Sequence, residues 1–256
     1  MEMSLTADLG ESFGRWRMGD DEVLLGVVTS ASVACGFHAG DPMVMDRTVR
    51  LAGARGVGVG AHPGYRDLEG FGRRNLELSR DEIRTAVVYQ VGALSAFCRA
   101  AGIRLEHVKP HGQLYNRALV DQAVAEAIVA GVAEAGGRLP VVAAGGALAG
   151  AARAAGLPVA VEAYVDRRYA PDGTLVPRTE PGAVLTDPAE VVAQARALAC
   201  EGRVRAMGGQ WISVAPHTLV VHGDTPDAPR LARLVKDALA GLGVRWAPLA
   251  DVLAAR

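Results

Sequence analysis

A parallel α/β barrel is the fold this sequence predicts, on three observations. Short apolar runs alternate with longer stretches of helical periodicity along the whole 256 residues. Roughly seven or eight such strand–helix units fit that length, which suits a closed barrel better than an open sheet. Four of the six histidines follow an apolar run and have glycine within the next two residues. They are His38 in Ala34-Cys35-Gly36-Phe37-His38-Ala39-Gly40, His62 in Val59-Gly60-Ala61-His62-Pro63-Gly64, His111 in Val108-Lys109-Pro110-His111-Gly112 and His222 in Val220-Val221-His222-Gly223-Asp224. A strand that ends in a polar residue and then turns on glycine delivers that residue to a barrel mouth, where α/β enzymes keep their chemistry.

The strand candidates are residues 3–7, 31–35, 57–61, 105–109, 141–144, 159–165 and 218–221. Between them lie helices. Asp41-Pro42 reads as N-cap and first helical residue of a helix to about residue 56. Ser79-x-x-Glu82 is a capping box opening a helix to about residue 101. Further helices are expected at 121–135, 148–155, 188–201 and 226–242. No Ser/Gly/Pro-rich linker divides the chain, so residues 1–256 read as one domain. Residues 166–188 form a long, proline-rich connection carrying Arg167, Arg168 and Arg178; it fits a lid, binding loop or partner surface as well as a plain surface excursion. A second polar insertion, 64–79, carries Tyr65, Arg66, Asp67, Phe71, Arg73 and Arg74.

Composition narrows the function. Half of the residues are apolar, enough for a sizeable core, and the formal charge of −1 gives no basic surface for nucleic acid or anionic membrane. Three cysteines without a CxxC pair point to a reducing cytoplasm. No basic leader opens the chain and no apolar run approaches a membrane span. Only two of the 27 basic residues are lysine, Lys109 and Lys236.

Strand alternation decides which side chains share a face. His107, Lys109 and His111 share one side, with Glu106, Val108 and Pro110 on the other. Glu162, Tyr164 and Asp166 form one set; Thr218, Val220, His222 and Asp224 form another; Asp8 and Glu11 lie just past the first strand. These polar groups are expected to converge on one mouth. A lysine inside an apolar strand must pair or lose its charge, so Lys109 is hard to explain as structure alone. His107 reads as a packed core histidine, His217 as a loop residue and Asp41 as a helix start; Asp8 alone could cap a turn. There is no GxxxxGK[ST], GxSxG or HExxH, and GxGxxG does not follow a strand. Asp8, His38 and His62 are candidates for a metal, without a specific spacing signature.

Long blocks carry a resemblance: Asp8-Leu9-Gly10-Glu11-Ser12-Phe13-Gly14, Met18-Gly19-Asp20-Asp21, the His38 and His62 blocks above, Gly70-Phe71-Gly72-Arg73-Arg74, Val108-Lys109-Pro110-His111-Gly112, Glu162-Ala163-Tyr164-Val165-Asp166-Arg167-Arg168-Tyr169 and Val221-His222-Gly223-Asp224-Thr225-Pro226. In order, from about residue 3 to 245, they resemble the LamB/YcsF family. The resemblance implies a distorted (β/α) barrel of about seven strands, akin to the glycoside hydrolase/deacetylase superfamily. It implies ATP-dependent opening of 5-oxo-L-proline to L-glutamate, with B and C subunits of a 5-oxoprolinase as partners. ATP, with Mg2+, would then occupy an atypical site here or sit on a partner. The family pattern has aspartate and asparagine where this chain has Ser4 and Thr6, which weakens any metal or substrate contact from the first strand.

For that chemistry Asp8 or Glu11 with His38 or His62 would supply the base, and Lys109 and His111 would stabilise charge on oxygen or phosphoryl. Arg73 or Arg168 would clasp the substrate carboxylate, with Tyr115, Glu162, Asp166, His222 and Asp224 completing the substrate set. Two other readings stay open: a metal-dependent N-deacetylase-like hydrolase, and a non-catalytic subunit that binds and delivers the lactam. A homo-oligomer is compatible with all three.

Overall fold

The computed structural model describes residues 1–222 and 227–256. Its strands are β1 (Glu2–Leu9), β2 (Ser30–Ala34), β3 (Gly58–His62), β4 (Leu105–Val108), β5 (Val141–Ala143), β6 (Val159–Tyr164), β7 (Arg203–Arg205), β8 (Trp211–Ser213), β9 (Thr218–Val221) and β10 (Arg245–Trp246). Strands β1 to β6 pair in sequence order, β9 pairs with β6, and β9 pairs again with β1. Every one of these pairings is parallel, so seven strands close into a barrel. β10 adds only to the start of β1. The seven expected strands fall on these seven, with ends shifted by no more than two residues.

The helices are α1 (Asp21–Leu24), α2 (Pro42–Ala54), α3 (Arg80–Ala100), α4 (Gly112–Val120), α5 (Gln122–Gly136), α6 (Gly146–Ala154), α7 (Pro188–Cys200), α8 (Ala228–Ala240) and α9 (Leu249–Ala254). Local chemistry sets their starts. Asp41 caps α2 by accepting from Met43 and Val44 N–H, and Ser79 and Glu82 form the expected reciprocal box on α3. Asp121 and Asp187 cap α5 and α7 in the same way. The short elements α1, α4, α9, β10 and the antiparallel β7–β8 hairpin lie beyond the sequence expectation, because runs of two to nine residues carry little periodicity.

The barrel interior is layered. Leu249 of α9 packs on Val142 and Ala160, apart from the main core, and its N–H donates to Ser30 Oγ. Ser30 begins β2, so α9 plugs the end of the barrel at which the strands start. Above it lie hydroxyls: Ser4 bonds Ser30 at 3.2 Å and Thr6 bonds Thr218 at 2.6 Å. Ser4 and Thr6 are thus consumed by buried hydroxyl pairing well below the mouth.

One face assignment is corrected. Between β3 and β4 the register passes from Val59 opposite Leu105 to Gly60 opposite His107, so two residues of β4 oppose one of β3. This bulge turns Glu106 inward as well as His107. A Cβ on Gly58 would overlap the Glu106 carboxylate, and one on Gly60 would overlap the His107 ring. The two glycines leave the space these side chains occupy. His107 is fully buried, with Nε2 3.5 Å from Ser32 Oγ, as a packed interior histidine should be.

Candidate active site

The strand ends opposite α9 carry a continuous polar cluster. Lys109 Nζ donates to both Asp8 oxygens, at 2.8 and 3.0 Å, and lies 3.6 Å from Glu162. Asp8 Oδ2 is 3.4 Å from His62 Nε2, which is 3.0 Å from His111 Nδ1. His111 stacks face to face on His38, ring centroids 3.7 Å apart. Glu11 Oε1 lies 3.6 Å from His38 Nε2 and 3.7 Å from His111 Nδ1. On the far side Tyr164 donates to Glu162 at 3.0 Å and stacks on His222, whose Nδ1 is 2.9 Å from Asp166. All these groups except the partly exposed His222 are buried.

Backbone construction aims them. His62 ends β3 and its Nδ1 meets the Lys109 carbonyl at 2.7 Å, tying two strand ends together. His111 Nε2 meets the Phe71 carbonyl at 2.8 Å. Phe71 holds φ 54°, a left-handed conformation unusual for a bulky residue. Gly72 follows at φ +64°, and a Cβ there would strike both His38 and His111. The 64–79 insertion is therefore a wall of the site, with Arg73 over the Phe71 ring. Asp21 accepts from Gly10 N–H and fixes the turn between Asp8 and Glu11.

The charges follow from this packing. Burial alone would raise the Asp8 carboxyl, but His62 and Lys109 overcome it and hold it well below the usual carboxylate range. Burial alone would lower Lys109, but Asp8 and Glu162 raise it, so it stays an ammonium. His38 and His111 are both pushed well below the usual imidazole value, chiefly by burial. Tyr115 and Tyr164 are raised well above theirs by burial and by Glu162, which keeps both as neutral phenols. Tyr115 also accepts from Ala144 N–H at 2.7 Å and bonds Glu162.

Of the residues singled out from sequence, the structure brings together Asp8, Glu11, His38, His62, Lys109, His111, Tyr115, Glu162, Asp166 and His222, with Arg73 at the edge over Phe71. Arg168 is not part of the group: it points to Glu190 on the first turn of α7, 3.0 Å away and half-exposed. Its neighbour Arg167 turns inward and donates to the Val176 carbonyl instead. Asp224 lies outside the described residues. Of the three metal candidates, His38 and His62 fall with Glu11 and His111 in one group whose ligand atoms all lie within 4.8 Å of one another. Asp8 stands beside that group, engaged by Lys109. Tyr164 and the Phe71 carbonyl are site elements that sequence reasoning missed. Tyr164 had the right parity, whereas no side-chain pattern reveals a backbone acceptor.

The fold and site together define a parallel-barrel protein with a buried histidine, carboxylate and lysine centre at the mouth where the strands end. The chain belongs to the LamB/YcsF family, whose model matches residues 3–254. It is 55% identical over 248 residues to the A subunit of 5-oxoprolinase from Methylococcus capsulatus, covering 96% of this chain and 95% of that one. It is 54% identical over 245 residues to the protein of the same name from Streptomyces coelicolor, covering 94% and 98%. The crystal structure of a lactam utilization protein from Thermus thermophilus superposes with a TM-score of 0.92 at 46% identity, covering 96% and 99%. No helix among the described residues is long and apolar enough to cross a membrane.

Proposed function

We propose that this chain is the ring-opening component of an ATP-dependent 5-oxoprolinase, acting with B and C subunits on 5-oxo-L-proline, with residues 1–256 as one barrel domain. Near-full-length identity above 50% to proteins named as that component supports the assignment. The observation that carries the chemistry is the buried Lys109 ammonium, held between Asp8 and Glu162 next to a group of imidazoles.

A lactam is a poor electrophile. Phosphorylation of its oxygen by ATP gives an imidate-like phosphate, which water can attack at the ring carbon; the C–N bond then breaks and the nitrogen gains a proton. With no P-loop in the sequence, ATP is assigned to an atypical site or to a partner. The site must activate water, stabilise charge on oxygen and hold the substrate carboxylate. Water activation falls to Glu11, His38, His62 and His111. Lys109 stabilises the phosphoryl or oxyanion charge, and Asp8 fixes the ammonium in place. This divides the carboxylates differently from the sequence expectation: the Lys109 pair holds Asp8 too acidic to be a good base. It also moves His111 to the base group, because its outer nitrogen is spent on the Phe71 carbonyl. Tyr115 and Tyr164 are neutral donors on Glu162, Arg73 is placed to meet the substrate carboxylate, and the Asp166–His222 pair lines the far side.

The test is glutamate release from 5-oxo-L-proline by the assembled complex carrying Asp8→Asn. The variant keeps the shape and removes the charge that holds Lys109, so turnover falls by roughly 10²-fold or more. Unchanged turnover in a folded variant contradicts the assignment of roles.

A further inference from the structure

Two buried imidazoles face each other with the wrong hydrogen-bonding polarity. A backbone carbonyl only accepts, so the Lys109 carbonyl at 2.7 Å requires the proton of His62 on Nδ1. The Phe71 carbonyl at 2.8 Å likewise requires the proton of His111 on Nε2. Both inner nitrogens, His62 Nε2 and His111 Nδ1, are then lone-pair acceptors, and they stand 3.0 Å apart. Two acceptors at that distance repel unless something positive sits between or beside them.

The surrounding groups are acceptors as well. Glu11 Oε1 approaches His111 Nδ1 and His38 Nε2 at 3.7 and 3.6 Å. Asp8 Oδ2 is 3.4 Å from His62 Nε2. His38 is 1% exposed, stacks on His111, and has no hydrogen-bond partner on either ring nitrogen among the described residues. A buried polar ring left unsatisfied costs stability unless it binds something. A tetrahedral ion with bonds of about 2.1 Å spaces its ligands about 3.4 Å apart, close to these separations.

We infer that Glu11, His38, His62 and His111 form a binding site for one divalent transition-metal ion of the zinc class. Three imidazoles and a single carboxylate select a borderline ion over Mg2+ or Ca2+, which take oxygen ligands. The carbonyls of Lys109 and Phe71 act as outer hydrogen-bond partners that fix the ligand tautomers. The bound ion would supply Lewis acidity at the inner end of the site. This inference deepens the reading above by naming what activates water. Its test reads metal content, so it fails separately from the lactam assignment.

The experiment strips the untagged full-length chain with a chelator, returns Zn2+, Co2+ or Mg2+, and measures bound metal and melting temperature. The expected result is about one Zn2+ per chain, visible absorption bands with Co2+, a higher melting temperature with either, and none of these with Mg2+. His38→Ala and Glu11→Gln should each weaken Zn2+ binding by about 10²-fold, while His217→Gln, outside the group, should not. Glu11→Gln changes no volume and guards against a variant that fails to fold. Uptake below about a tenth of an equivalent would overturn the site and leave a proton shared between His62 and His111 as the explanation of their approach. Uptake unchanged in both ligand variants would also overturn it, by placing the metal elsewhere.

Discussion

Lys109 shows how much one residue can be asked to do. It is 2% exposed, its charge is balanced by Asp8 and Glu162, and its carbonyl fixes the tautomer of His62. Lys109→Ala should lower glutamate release by the assembled complex roughly 10²-fold or more, with poor rescue by Lys109→Arg, whose planar guanidinium does not fit a point-charge site. The melting temperature should fall as well, because Asp8 and Glu162 are left buried without their cation; the assay is therefore run well below the melting transition. Near-normal release would make Lys109 a structural lysine. His107 gives a second, independent prediction. Burial, and then Lys109, push its pKa from 6.5 to about 3, so it is neutral in the fold while the unfolded chain takes up a proton near 6.5. Its contribution is fully present above pH 6.5 and is lost as pH falls below that value. At about pH 5 the loss is about 2 kcal/mol. Denaturant titrations of the wild type and His107→Leu should differ in pH slope by that amount. Parallel slopes would mean that His107 is not held neutral in the fold.

At the scale of elements, the barrel strands were legible because buried parallel strands read as short apolar runs cut off by glycine. The site histidines were legible for the same reason, since His62 and His222 sit where those runs stop. Legibility ended where alternation breaks. The bulge in β4 put Glu106 inside against a strict period of two. Past Tyr164 the chain leaves the sheet, so nothing in the sequence distinguished inward Arg167 from outward Arg168. The Glu11–His38–His62–His111 group has no local spacing signature because its members come from four successive strand ends. Two substitutions test the element-level account. Gly60→Ala would press a methyl into the His107 ring and should cost about 1–3 kcal/mol in urea unfolding. Leu249→Ala, in the plug at the other end, should cost about 2–5 kcal/mol with turnover nearly unchanged. A large loss of turnover in a folded Leu249→Ala protein would tie the plug to the site.

The whole molecule separates stability from chemistry along the barrel axis: α9 and the hydroxyl layer at one end, the charged cluster at the other. The central claim is that this cluster opens a lactam ring that ATP has activated, with two partner subunits. The most direct measurement is glutamate release from 5-oxo-L-proline by the purified chain, alone and with the B and C subunits, with and without ATP. The account predicts release only when all three subunits and ATP are present, and its loss with Lys109→Ala in an otherwise intact complex. Full release by the chain alone, or release by the complete complex without ATP, would contradict it.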